Sequence, residues 1–522
     1  MGWSSRVAVV LLVLLGGLLP PGRARSAPAL ERGAAITDPL ALRELDRGRF
    51  GLVRMLDPDR SADAPPLNDS ELFALPALGP LRKALDGEFE QYVERYKAAS
   101  ADRSIGIGES FAFQLFDRVK LYSAATRFVL AGIVNRMDRA YLSKQNCGEI
   151  RLIYRLVELN APPVGDHLIS PRLPMTLNIV LKARGDHAKD AKGAALSCAE
   201  IARRWLHAGD LTSTGAALVE RLTSGDGPLE LIAPADIERV ETNLQIAHAS
   251  SSVNGDFRAD YLLKVFDYNE ATRAFEEATL ENQIDRDRIL ADGKLRREFK
   301  AWLLEPSHFA ELDRGTILIP KEFLAKRAIA PTPVGFSPST LQPAFGLVEG
   351  EGANPVFTKA DVVTALEKAT RGANLQNIRS VAGFERRLND VTCAGCHQTR
   401  GIGGFHFPGV DWMATNPSNS TVVPGSPHFF GDQVRRRSIL ASIRDGGPVD
   451  YSRGFSSRPQ LRGSRELAGS EYEDGWGAPC YRQSGSAAAN DRSFRSWTCA
   501  KGLACQVMSE VSRMGMCFVG NR

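Results

Sequence analysis

Five consecutive residues, Cys393-Ala394-Gly395-Cys396-His397, carry the most specific chemical pattern in this sequence. Two thiols three residues apart lie on adjacent turns of a helix, where both can add to the vinyl groups of a haem. The histidine that follows can reach the iron from the proximal face. The small residues 394 and 395 leave room for the porphyrin edge to approach the backbone. The C-x-x-C-H pattern therefore predicts one covalently attached haem c.

At this motif the sequence resembles the c-type cytochrome family, over about residues 380–440. The resemblance implies that Cys393 and Cys396 form the thioethers and that His397 is the proximal iron ligand. The stretch CAGCHQTRGIGGFHF is also similar to a segment of exported bacterial proteins of no established function. The long region that precedes the motif is not part of any small cytochrome.

The second axial ligand of the iron would decide between electron transfer and chemistry at an open iron site. Two histidines flanked by phenylalanine are candidates, and we rank His428 ahead of His406 because His406 lies so close to His397 that a tight loop would be needed. Met413 is the third candidate. The sequence does not decide between an electron carrier and an enzyme that acts on peroxide or oxygen.

Other catalytic signals are sparse. No G-x-S-x-G or H-E-x-x-H pattern occurs, and the carboxylates show no spacing that pairs them. The run Arg435-Arg436-Arg437 contains a possible partner for the haem propionates. Such a run more often forms a solvated helix face.

The first 26 residues have the features of a signal peptide. A single basic residue, Arg6, precedes an apolar run over residues 7–19, and small residues follow at a possible cleavage site. No later apolar stretch is long enough for a membrane span. The sequence predicts a periplasmic or secreted protein with no membrane span after signal removal.

The charge balance also limits the partners. Lys and Arg number 65 and Asp and Glu 61. A nearly neutral chain has no basic surface excess that would favour nucleic acid. A redox partner protein is expected, and the sequence does not identify it.

The order of helical and alternating hydrophobic patterns along the 522 residues predicts an α+β fold. Helical periodicity marks residues 36–100, 193–208 and 272–304. Alternating segments at 127–137, 148–159 and 174–184 predict an antiparallel meander, with more strands at 229–247 and 258–267. The expected organisation is a signal peptide (1–26), a large α+β domain (27–375), a loop-rich haem-binding segment (376–465) and a small cysteine-rich module (466–522).

The six remaining cysteines have a structural interpretation. Cys147 and Cys198 are the only two in the large domain, so an exported chain would join them. The C-terminal four, Cys480, Cys499, Cys505 and Cys517, allow three pairings.

Two hypotheses of different classes follow. In the first, the chain is an exported monohaem c-type protein for electron transfer or haem-based redox chemistry. In the alternative, it is a disulfide-stapled binding or scaffold protein in which Cys393 and Cys396 form a disulfide or bind zinc with His397 and either His406 or His428. Thiol–disulfide exchange is a weaker third, because no βαβ pattern surrounds the motif.

Overall fold

The computed structural model describes residues 33–61, 63–65, 67–99, 104–143, 145–159, 172–186, 193–249, 259–332, 355–399, 427–453, 479–483, 485, 498–499, 503–507 and 514–519. The predicted signal peptide, His406 and Met413 lie outside these ranges. For residues 397–399 and 427–434 the backbone alone is described. Within the described ranges, no helix combines the length and the apolar character needed to cross a bilayer.

The helices lie before, between and after the strands of the large sheet. In chain order they are α1 Pro39–Arg47, α2 Leu52–Leu56, α3 Glu71–Ala74, α4 Gly79–Ala99, α5 Cys198–Ala208, α6 Gly215–Thr223, α7 Arg286–Ala291, α8 Gly293–Leu303, α9 Pro306–Arg314, α10 Lys359–Gly372, α11 Val381–Asp390, α12 Cys393–Thr399 and α13 Pro427–Arg444. Helix α1 begins after Asp38, whose side chain accepts a hydrogen bond from the Ala41 N–H. That bond satisfies one of the backbone donors that every helix start leaves open.

The strands form a ten-stranded sheet and a small three-stranded one. Their bounds are β1 Ala35–Ile36, β2 Ile105–Gly106, β3 Phe113–Leu115, β4 Thr126–Arg136, β5 Glu149–Glu158, β6 Arg172–Lys182, β7 Ile237–Ala249, β8 Ala259–Asn269, β9 Ala274–Ala278, β10 Ala328–Thr332, β11 Pro479–Tyr481, β12 Leu503–Gln506 and β13 Met514–Val519. The large sheet runs β1-β4-β5-β6-β7-β3-β2, with β8 also on β7 and both β9 and β10 on β8. All its pairs are antiparallel except β2 with β3. The predicted meander is β4, β5 and β6, and the α+β fold is confirmed.

The large sheet has two different faces, because strand side chains alternate. One face is apolar and packs against α1 and α4 in the main core, through residues such as Leu152, Leu177 and Val240. On the opposite face the same strands carry charged residues near one end. We call this the ionic face and define it by five residues: Arg136, Glu149, Arg151, Arg239 and Glu241.

The predicted helix over residues 272–304 is wrong in its first third. Residues Ala274–Ala278 form β9 along the edge of β8, and helices begin only at Arg286. Pairing with β8 supplies the backbone hydrogen bonds, and it buries Phe275 completely in the main core while its neighbour Glu276 stays exposed. Tertiary pairing therefore overrides the local helix preference.

A second core joins α7 to α11. It is built around four fully buried phenylalanines: Phe299, Phe309, Phe357 and Phe384. Residues on both sides of position 375 share this core, whereas the domain boundaries at 26, 375 and 465 remain predictions.

Within the described part of the chain, both partners of two disulfides are placed. Cys147 is joined to Cys198, as predicted, which links the start of β5 to α5. Cys480 is joined to Cys505 across the small sheet of β11, β13 and β12, and Cys499 is also disulfide-bonded. The C-terminal region is therefore cross-linked by disulfides, as its closely spaced cysteines predict.

A half-buried carboxyl group, Asp46, and a buried one, Glu71, accept backbone N–H groups of β4. Asp46 accepts the Leu130 N–H at 2.8 Å, and Glu71 accepts the Phe128 N–H at 3.0 Å. Burial raises the pKa of Asp46 to about 6, against the effect of the Leu130 N–H and Arg47. Burial also raises the pKa of Glu71 to about 7, against the effect of the Phe128 N–H and Arg127.

These two groups should make the protein less stable as the pH rises from about 4.5 to 7. Each folded pKa lies above the unfolded one, so the folded state retains protons that the unfolded state has lost, and the stabilisation disappears as the pH passes the folded pKa. Each shift corresponds to about 3 kcal/mol over its full range. Urea unfolding at several pH values measures the effect. A profile that is as steep in the variant Asp46→Asn/Glu71→Gln as in the wild type would refute the assignment.

Candidate functional site

Helix α12 places the two motif cysteines on the sheet. It packs against β10 and against α11. The fully buried Ala394 contacts an apolar cluster that includes Leu263, Val265 and Ala330, and its N–H donates to Gln283 Oε1 at 2.9 Å. The apolar contacts and the Gln283 hydrogen bond of Ala394 therefore fix the buried side of α12.

The small residues between the cysteines serve this packing. Ala394 fills the cluster on β8 and β10, and a Cβ at Gly395 would overlap the backbone oxygen of Asn389 in α11. The sequence predicted that these two residues leave room for a porphyrin edge. That prediction is wrong, because both residues pack against other parts of the protein. The Thr392 hydroxyl accepts the Gly395 N–H at 2.9 Å and begins the helix.

The variant Gly395→Ala should destabilise the protein by about 1–3 kcal/mol, because α12 must move away from α11 to admit a methyl group. A matched helical glycine, Gly87 in α4, has no atom beyond its chain neighbours and its own helix backbone within 4 Å of the position that an added methyl group would take. Gly87→Ala should stabilise the protein by about 0.5–1 kcal/mol. Thermal unfolding of both variants measures the contrast, and equal shifts would show that α12 is not tightly packed.

Both motif cysteines line a cavity of about 630 Å³ on the ionic face of the large sheet. This volume lies within the range of small-molecule and cofactor sites. Apolar lining comes from Ile237, Val265, Leu318, Ile319 and Leu324. Charged residues of both signs complete the lining. The basic ones are Arg136, Arg139, Arg151, Lys182, Arg239, Lys321 and Arg453, and the acidic ones are Glu238, Glu241, Asp267, Glu270, Glu281 and Asp390.

Neither motif cysteine forms a disulfide, whereas Cys147, Cys198, Cys480, Cys499 and Cys505 are disulfide-bonded. Cys393 Sγ lies 3.5 Å from the carbonyl oxygen of Glu281 and can donate its proton there. Burial raises the pKa of the Cys393 thiol well above its usual range, and the nearby carboxylates of Glu281 and Glu241 raise it further. Cys393 is therefore a neutral thiol at physiological pH.

A cluster of buried ion pairs forms the floor of the cavity. Glu149 is at its centre and lies 2.9 Å from both Arg151 and Arg239 and 3.1 Å from Arg139. Arg151 also binds Glu241 at 3.0 Å. Arg139 binds Glu281 through both terminal nitrogens.

The expectation that the carboxylates show no spacing that pairs them is wrong for this cluster. Glu149 with Arg151, and Arg239 with Glu241, are pairs two residues apart on strands. Such pairs place opposite charges on one face of a sheet. Opposite charges two residues apart on a strand were therefore the sequence feature that could have identified this cluster.

Two carboxylates of the cluster, Glu149 and Glu281, stay ionised. Burial alone would raise the pKa of Glu149, but Arg139, Arg239 and Arg151 hold it well below its usual range. Burial would also raise the pKa of Glu281, but Arg139 outweighs it and brings that pKa down to about 2. Fixed charges of this kind shape the field in the cavity and do not exchange protons near pH 7.

The arginine run on α13 is not a solvated face. Arg435 lies 2.7 Å from the buried Asp138, which also binds Arg136 at 2.8 Å, and Arg436 is 4% exposed. Arg437 is half-buried and its guanidinium approaches Gly33 and Gly209. The predicted solvated face is wrong, because α13 packs against α5 and the 3-10 helix Met137–Leu142.

The predicted iron ligands are placed only in part. His397 lies in α12 and His428 at the second position of α13, with the backbone alone described. His406 and Met413 lie outside the described residues. The structure therefore brings the cysteine pair to a cavity, and the axial ligands remain predictions.

Comparisons of the whole chain with protein-family models, with curated proteins and with solved structures found no match.

Proposed function

We propose that the chain is an exported c-type haem protein that holds one haem through Cys393 and Cys396, with His397 as an axial ligand. Its function would be electron transfer or haem-based redox chemistry. One observation carries the proposal: the two motif-spaced thiols line one cavity of cofactor size and form no disulfide, although five other cysteines, Cys147, Cys198, Cys480, Cys499 and Cys505, do.

The state of the Cys393 thiol supports a thioether over thiol–disulfide exchange. Thiol–disulfide exchange requires a thiolate, which burial and neighbouring carboxylates disfavour here. A thioether is uncharged. Each cysteine would add its S–H across one vinyl double bond, so that sulfur bonds to the carbon next to the ring and the proton goes to the terminal carbon. No oxidant is consumed.

The surroundings of the thiols are suited to a redox group. The bound haem would supply the one-electron chemistry of its iron. The chain would hold it between apolar lining residues such as Val265 and Leu324 and the fixed charges of the ionic face. Those buried charges would influence the reduction potential, because they act through a medium of low dielectric constant.

Two further observations agree with export. The Cys147–Cys198 and Cys480–Cys505 disulfides are typical of proteins outside the cytoplasm. Residues 1–26 have the pattern of a signal peptide.

The test is production of the full chain in a host with and without a cytochrome c maturation system. We expect the matured protein alone to gain the mass of one haem and a Soret band. A colourless protein of unmodified mass that binds one equivalent of zinc would overturn the proposal in favour of the alternative hypothesis. Carbon monoxide added to the reduced protein then separates an open iron site, which binds it, from a six-coordinate electron carrier.

A further inference from the structure

The arginines of the cavity floor form ion pairs with carboxylates, whereas two cations that line the same cavity lie outside these ion pairs. Four buried arginines of the floor face four carboxylates: Arg136, Arg139, Arg151 and Arg239 against Asp138, Glu149, Glu241 and Glu281. Lys182 and Arg453 line the same cavity. Among the described residues, neither of them has a carboxylate at ion-pair distance.

Arg453 is held at the cavity wall by a dedicated set of contacts. Its backbone N–H donates to the Arg314 carbonyl at 2.8 Å, and its carbonyl accepts from the buried Arg387. Arg387 also donates to the carbonyls of Leu312 and Asp313, each at 2.9 Å. The segment after α13 is thereby fixed to the end of α9.

A glycine makes this arrangement possible. Gly315 has φ of +74°, and a Cβ there would lie 2.6 Å from Nη2 of Arg387. Both the backbone conformation and the space require glycine. The backbone contacts of Arg453 and the glycine at position 315 therefore fix the position of Arg453.

The Arg453 guanidinium still has donors to offer. Its Nη2 donates to Tyr141 Oη at 3.3 Å, while its Nε is buried and has no hydrogen-bond partner within the described part of the chain. A buried donor left without a partner costs free energy, so such groups usually face a ligand or water. A guanidinium offers two parallel N–H groups that match the two oxygens of a carboxylate.

Lys182 supplies a second positive charge to the lining of the same cavity. It is the last residue of β6, half-buried, and lies directly across from Glu149 in β5. Glu149 is already bound by three arginines. The Lys182 ammonium group is thus left for a ligand in the cavity.

We propose that Arg453 and Lys182 form an anion-binding wall that receives the carboxylates of a dicarboxylate ligand. The two propionates of the haem are one source of this chemistry, and that case rests on the proposed function. A free dicarboxylate substrate is the other source and does not depend on haem.

The experiment titrates the full chain carrying Cys393→Ala/Cys396→Ala, so that haem binding is reversible. Three probes are compared: hemin, hemin dimethyl ester and succinate. If the wall receives propionates, hemin should bind about 10–100-fold more tightly than its ester, and Arg453→Gln should remove this difference while the ester affinity stays the same. If the wall receives a free dicarboxylate, succinate should bind, and Arg453→Gln should weaken it by a similar factor.

The controls isolate the wall from general charge effects. Arg371→Gln, at the exposed end of α10, makes the same charge change far along the chain and should leave all three affinities unchanged. Lys182→Gln provides a second variant if Arg453→Gln does not fold by circular dichroism. Affinities that are the same in the wall variants and in Arg371→Gln would overturn the proposal. Failure of covalent haem attachment in the earlier test, with succinate binding retained, would reject the proposed function and leave the anion site standing.

Discussion

Replacing Cys393 and Cys396 together with alanine should abolish covalently bound haem in protein produced with a maturation system. Both thiols line the cavity and neither forms a disulfide, so both are available for attachment. The single variants should each retain one thioether bond and a reduced amount of haem. Mass spectrometry of the intact denatured chain and the pyridine haemochrome spectrum measure covalent attachment directly.

The matched control removes another pair of cysteines. The variant Cys480→Ala/Cys505→Ala loses a disulfide of the C-terminal sheet and keeps the C-x-x-C-H motif. It should carry one covalent haem per chain, even if it is less stable. Covalent haem in Cys393→Ala/Cys396→Ala, or its loss in both variants alike, would show that these cysteines are not the attachment residues.

The strands of the large sheet were the most predictable part of the fold. The expected segments match β4, β5 and β6 to within two residues, because alternation of Val, Ile and Leu with polar residues is a local signal. The Cys147–Cys198 pairing was predictable by elimination. The β9 strand was not, because its stability comes from pairing with β8, which lies outside its own sequence.

The candidate site was predictable only at its motif. The C-x-x-C-H spacing identifies Cys393 and Cys396, but the cavity depends on strand register, which places Arg136, Glu149 and Lys182 side by side on three strands. Such a neighbourhood depends on residues far apart along the chain. Likewise, nothing in the local sequence at Gly395 reveals the Asn389 oxygen that excludes a larger residue.

Glu149→Gln should be the most destabilising single change in the ionic cluster, by about 3–5 kcal/mol. Glu149 is 5% exposed and lies at ion-pair distance from Arg139, Arg151 and Arg239. Glutamine keeps the size and removes the charge, so three buried guanidinium groups lose their common partner. The melting temperature and the urea midpoint of the first unfolding transition measure the loss.

A partly exposed carboxylate supplies the contrast that separates the effect of burial from the effect of pairing. Glu200 on α5 binds Arg203 at 2.7 Å and Arg204 at 3.2 Å, but its side chain is 27% exposed. Glu200→Gln should therefore cost no more than about 1 kcal/mol. Adding Arg239→Gln to Glu149→Gln should recover part of the loss, because it removes one of the uncompensated charges. If Glu149→Gln and Glu200→Gln prove equally mild, the cluster does not hold the cavity floor, since buried charges without their partner cannot be tolerated at so small a cost.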